Sequence, residues 1–252
     1  MTKQQALFEY ILRIADDSLI LGHRISEWCG HGPILEEDIA LTNVALDLIG
    51  QATNLLEYLS KLDSQNRSVD DLAFLRYEKD YRNLLLVEQE NGDFGVTITR
   101  QFFFDLYRRL FFEALLDSRD KTLASIAEKS LKETKYHLKR SSEWMIRLGD
   151  GTDESHTRVQ NAVNDLWRFT NELFFKNEID EMLLSEGIAT DNELLKEPWR
   201  NQVNEIFSQA TLEIPTKKWQ QEGGRVGIHS EHLGYLLAEM QYMQRAYPNM
   251  EW

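Results

Sequence analysis

A few acidic side chains and one histidine stand where the sequence otherwise calls for hydrocarbon. Asp17 lies three residues after Ile14 and four before Leu21, on an apolar stripe of helical period. Asp47 lies three after Val44, and Gln51 four after Asp47. Asp105 is enclosed by Phe102, Phe103, Phe104 and Leu106. Glu133 and His137 are four apart, one turn of helix, with His137 beside Leu138. Carboxylates rarely enter a core unless they are paired or hold a metal. Inward carboxylates from four helices, one of which also offers a histidine, are the layout of a carboxylate-bridged metal site in a bundle.

The spacing argues against the metal. A di-iron bundle uses two Glu-x-x-His pairs, because positions i and i+3 bring both side chains to one ion. The residues three before His23, His31, His137, His229 and His232 are Ile20, Trp28, Thr134, Val226 and His229. Only His156 has an acid at that offset, Asp153, in a polar helix start. No metal ligand set and no catalytic residue is therefore expected. Asp17, Asp47, Gln51, Asp105, Glu133 and His137 are instead expected to form a vestigial, hydrogen-bonded polar network in the core. His229-Ser-Glu-His232 follows a glycine-rich loop and offers no third ligand, so His229, Glu231 and His232 are candidates for contact with a partner. Arg76, Lys79 and Arg82 share a helical spacing and are expected on a solvated face with Glu78 and Asp80. Gly-x-Gly-x-x-Gly, Walker-type and Gly-x-Ser-x-Gly motifs are absent, which leaves nucleotide binding and hydrolase chemistry without support.

Helices must position these side chains. Apolar residues at helical spacing predict helices over about 4–28, 36–62, 71–86, 96–116, 121–148 and 159–175. Glu36, Glu37 and Asp38 favour the start of the second through the helix dipole. Segment 96–116 is apolar on nearly every side and should be central. Shorter helices are expected near 178–184, 193–210 and 232–245, with irregular chain at Pro215 and 223–227. No alternating strand pattern is present. Long helices joined by short loops mean antiparallel neighbours, and the expected fold is all-α: one ferritin-like helical bundle over 1–252 with extra C-terminal helices.

Composition bounds the partners. The 252 residues include 42 acidic and 28 basic side chains, a net charge of −14. Such a chain is repelled by nucleic acid and by anionic membranes. No leader is visible in the N-terminal residues, and no uninterrupted apolar run reaches the ~18 residues of a membrane span. The single Cys29 cannot form an internal disulfide and is expected as a small core residue in a reducing compartment. Cytoplasmic location follows as the expectation.

Four stretches carry a family resemblance: SEWCGHGPILEEDIALTNVALDLIGQATN (26–54), NLLLVEQENGDF (83–94), LWRFTNELF (166–174) and HSEHLGYLLAEMQYMQR (229–245). In this order, and over nearly the whole chain, they resemble the C subunits of bacterial phenylacetyl-CoA epoxidases. The resemblance implies a ferritin-like, non-catalytic structural subunit of a multicomponent monooxygenase in aerobic phenylacetate degradation. It implies a catalytic A subunit that holds the di-iron centre and the CoA ester, a small B subunit and a separate reductase. It also implies that Leu48 and Gln51 stand where the catalytic paralogue carries Glu and His. Two other functions compete with this one: an autonomous di-metal oxidase built on the core acids, and a stand-alone helical binding protein. A supporting subunit needs a large partner face, upwards of about 2,000 Å² for an obligate interface. The aromatic segments 96–116 and 166–175, with Trp167 and Phe174, are the candidates, and the isolated chain is expected to form a two-fold dimer.

Overall fold

The computed structural model describes residues 1–216, 219–248 and 250. Among them no strand occurs, and the chain is all-α, as a ferritin-like helical bundle requires. It folds into two compact units, one formed by Met1–Glu90 with Gly223–Trp252 and the other by Asn91–Glu222.

The first unit is built on α1 (Lys3–Ser26) and α2 (Leu35–Leu62). A Thr2–Gln5 capping box starts α1, satisfying backbone N–H groups that have no partner within the helix. The pair is antiparallel: Gln4 Nε2, at the start of α1, donates to the carbonyl of Leu62, at the end of α2, at 2.9 Å. At the other end Gly22 permits close approach, since a Cβ there would meet Ile49 Cγ1 at 3.0 Å and the Ala45 carbonyl at 3.3 Å. Leu41, Val44, Leu48, Ala52, Leu55 and Leu59 of α2 are buried. By length and composition α2 is the one helix among the described residues able to cross a membrane. Short helices α3 (Val69–Phe74), α4 (Leu85–Glu88), α10 (Glu231–Met240) and α11 (Tyr242–Ala246) complete this unit.

One sequence expectation fails here. A continuous helix over 71–86 does not form: α3 ends at Phe74, a single 3-10 turn covers Glu78–Asp80, and α4 begins at Leu85. The cause is competition for backbone donors. The N–H groups of Arg82 and Leu84 donate to the buried carboxylates of Asp16 and Asp17, at 2.8 and 2.9 Å. Those bonds hold the segment as a strap along α1. Cys29, expected in the core, is exposed in the turn after α1.

The second unit is centred on α5 (Phe94–Leu115), antiparallel to α6 (Lys121–Gly149). Ring contact between Phe94 and Trp144, a Ser141–Asp105 hydrogen bond and a Lys135–Glu113 ion pair set the register. Helices α7 (Asp153–Leu166), α8 (Glu178–Ser185) and α9 (Asn192–Gln209), with a 3-10 segment at Trp167–Phe174, complete it. The all-round apolarity of α5 is used within the unit, where it contacts α6, α7, α9 and the 167–174 segment. The Phe103 ring lies 5.6 Å from that of Trp167 and 5.7 Å from that of Trp199, whose indole N–H donates to the Phe103 carbonyl. Burying each such ring is worth roughly 1.5–3 kcal/mol.

Candidate functional site

Helix α1 is buried almost all round from Tyr10 to Gly22, so its adjacent Asp16 and Asp17 both lie in the interior, each with no exposed surface. Buried charges need counter-charges, and two arginines far along the chain supply them. Arg76 grips Asp16 with both terminal nitrogens, one at 2.8 Å, and stacks 4.0 Å over the ring of Tyr81. Arg225 grips Asp17 at 2.8 and 3.0 Å and also donates to the carbonyls of Arg82 and Arg13. Bidentate guanidinium–carboxylate pairing is the strongest form of this contact. Burial pushes the Tyr81 hydroxyl up to about 12, so it stays protonated and donates to the Ala73 carbonyl at 2.6 Å.

A third carboxylate, Glu88, belongs to the same unit and has no exposed surface. It accepts from Asn83 Nδ2 at 2.9 Å, from the Ser230 N–H and hydroxyl at 2.7 Å, and from His229 Nδ1 at 2.8 Å. His229 Nε2 meets the Tyr81 carbonyl at 3.1 Å. With an oxygen acceptor at each ring nitrogen, the imidazole is satisfied only with both nitrogens protonated. Burial alone would lower the affinity of His229 for its proton, but the Glu88 hydrogen bond and charge outweigh it, and the pKa is raised. Glycine allows the loop to reach this position: a Cβ at Gly224 would lie 2.1 Å from the Asn83 carbonyl oxygen.

The second unit holds a smaller network. Asp105, 1% exposed, accepts from Gln101 Nε2 at 3.0 Å and from the Ser141 hydroxyl at 2.9 Å. Burial raises its pKa to about 6, against the opposing pull of His137, of Ser141 and Gln101, and of Arg140. His137 is 2% exposed on α6, one turn before Ser141.

Of the residues singled out by spacing, Asp17, Gln51, Asp105 and His137 are buried, whereas Asp47 and Glu133 are only half-buried. The structure joins Asp105 to the field of His137, but binds Asp17 to Arg225. Trp167 and Phe174, expected on a partner face, are 8% and 7% exposed and pack against Phe103, Tyr107 and Trp199. They are core residues, and segments 96–116 and 166–175 are not free faces. The His229 side chain is fully covered by its Glu88 pairing, His232 is partly covered and Glu231 is exposed. Arg76, expected in solvent, is buried, and Arg82 pairs with Glu9 at 2.8 Å. Asp16, Glu88 and Arg225 were missed by spacing. Glu88 had a signal, since it closes the apolar run Leu84-Leu85-Leu86-Val87 just as Asp105 interrupts a phenylalanine run.

Among the described residues no group of three or more His, Cys, Asp or Glu side chains comes together as a metal ligand set. Two surface clefts, of about 290 and 310 Å³, are lined by residues such as Asp93, Thr152 and Arg158, and Phe8, Asp63 and Arg67, and neither draws on these networks.

The family described as phenylacetic acid catabolic protein matches residues 1–252. A protein of Escherichia coli (strain K12), described as the C subunit of 1,2-phenylacetyl-CoA epoxidase, is 49% identical over 246 residues, 98% of this chain and 99% of that protein. With the all-α fold and the motifs of the second helix and C-terminal segment, these matches establish that the chain belongs to the phenylacetic acid catabolic protein family.

Proposed function

We propose that this chain is a non-catalytic, metal-free supporting member of a cytoplasmic multicomponent phenylacetyl-CoA epoxidase. Its partners are a catalytic A subunit, which holds the di-iron centre, and a small B subunit. The observation that carries the proposal is the 49% identity, over 98% of the chain, to a protein described as the C subunit of that enzyme.

The chemistry of the core supports the non-catalytic role. Four buried carboxylates are already engaged by donors of this chain: Asp16 by Arg76, Asp17 by Arg225, Glu88 by His229 and Ser230, Asp105 by Gln101 and Ser141. An arginine locked on a carboxylate blocks the lone pairs that a metal needs. On α2 the inward positions Leu48 and Gln51 provide no anionic ligand. These residues do not fit a di-iron centre.

The test is metal analysis of the reconstituted complex after its subunits are separated under non-chelating conditions. Iron is expected with the catalytic subunit and far below one equivalent with this chain. Near-stoichiometric iron or manganese in this chain, lost on replacing Asp105 or His137, would favour the autonomous oxidase.

A further inference from the structure

Among the described residues the outer face of α2 has no partner. Leu35, Ile39 and Leu46 are 71%, 53% and 62% exposed. They lie on one line of the helix with Thr42, Gly50 and Thr53, opposite the residues packed against α1. The Thr53 hydroxyl is satisfied by the Ile49 carbonyl of its own helix, so it asks nothing of a neighbour. Large exposed aliphatic side chains grouped on one helix face mark interaction sites.

Gly50 is an independent pointer. A glycine inside a helix is less stable than alanine there and serves where another backbone or ligand must come close. Nothing lies within 4 Å of the Cβ that Gly50 lacks, whereas the Cβ missing at Gly22 would press on Ile49. Among the described residues no contact asks for glycine at 50.

We propose that this face docks a helix of the catalytic subunit. The docked helix runs along Leu35, Ile39 and Leu46, approaches closely at Gly50, and carries aliphatic side chains bordered by Lys or Arg. The charge selects that occupant over a second copy. Glu36 and Asp47 border the stripe, and the whole chain carries −14, so self-pairing sets acid against acid while a basic rim is attracted. A single stripe of this kind exposes on the order of 300–600 Å² and would form the apolar centre of a larger interface with a polar rim. This inference rests on the function proposed above.

The experiment compares the full-length wild type with Ile39→Glu/Leu46→Glu and with Gly50→Ala. Affinity for the separately purified catalytic subunit is measured by calorimetry, mass by light scattering, and folding by thermal unfolding. All three chains are expected to fold, with Gly50→Ala at least as thermostable as the wild type. Both variants are expected to bind the catalytic subunit at least roughly tenfold more weakly, a loss of about 1.4 kcal/mol. Wild-type binding that both variants retain would overturn the docking face and leave the supporting role intact. Failure of the wild type itself to bind would overturn both. A wild-type dimer dissociated by the double substitution, with binding to the catalytic subunit unchanged, would reassign the face to self-association. Flotation of the wild type with phosphatidylcholine vesicles, lost in the double variant, would reassign it to a membrane surface.

Discussion

Asp105 is a carboxyl group whose folded site favours the proton. Its pKa stands near 6 in the fold against 3.8 for an ordinary aspartate. Between those values the folded chain binds a proton that the unfolded chain has released, so stability falls as pH rises through that window and stays lower above it. Asp105→Asn cannot ionise and escapes the slope. Its stability relative to wild type is therefore expected to rise by on the order of 3 kcal/mol from below pH 4 to above pH 6, read from urea unfolding at each pH. A constant difference across the range would show that the site does not favour the proton. His229 has the opposite dependence. Its folded pKa is raised above 6.5, so its contribution is complete below that pH and is lost as pH rises through the folded value. His229→Gln is expected to cost most stability in mildly acidic buffer and progressively less toward alkaline pH; a cost independent of pH would mean that the imidazolium is not what binds Glu88. At this scale spacing located Asp17, Asp105 and His137 in the interior, because an acid or imidazole on an apolar stripe is visible locally. It missed the partners of Asp16 and Asp17, because Arg76 and Arg225 lie 60 and 208 residues away and no local pattern joins them.

The long helices were legible because each pairs a buried stripe with a side-chain cap or an acidic first turn, as at Thr2 for α1 and Asp120 for α6. The strap between α3 and α4 was not. Its residues have helical period, but tertiary acceptors on α1 take the backbone N–H groups that a helix would use internally. Segment 96–116 is central, as its apolarity predicts, but it leaves no surplus face, because its neighbours in α7, and its aromatic neighbours in α9 and the 167–174 segment, come from residues far along the chain. The strap and the glycine-rich loop share Arg225, whose guanidinium ties Asp17 of α1 to the Arg82 carbonyl. Arg225→Ala would leave Asp17 buried without a counter-charge, at a cost of about 3–5 kcal/mol. Chemical denaturation reads that loss directly. A change below about 1 kcal/mol would mean that water replaces the arginine and that the pair does not hold the loop.

For the whole molecule, the proposed role depends on partition: one chain conducts the chemistry and this one supports it. Family membership was legible from four contiguous motifs. The docking face was not, since Leu35, Ile39 and Leu46 look like core positions until the fold shows which side of α2 meets α1. The most direct measurement is oxygen-dependent turnover of phenylacetyl-CoA by the catalytic subunit with the reductase and small subunit, with and without this chain. The expected result is no turnover by this chain alone, and turnover by the catalytic subunit that rises at least roughly tenfold when this chain is added. A catalytic subunit equally active and stable alone, or turnover by this chain without it, would contradict the account.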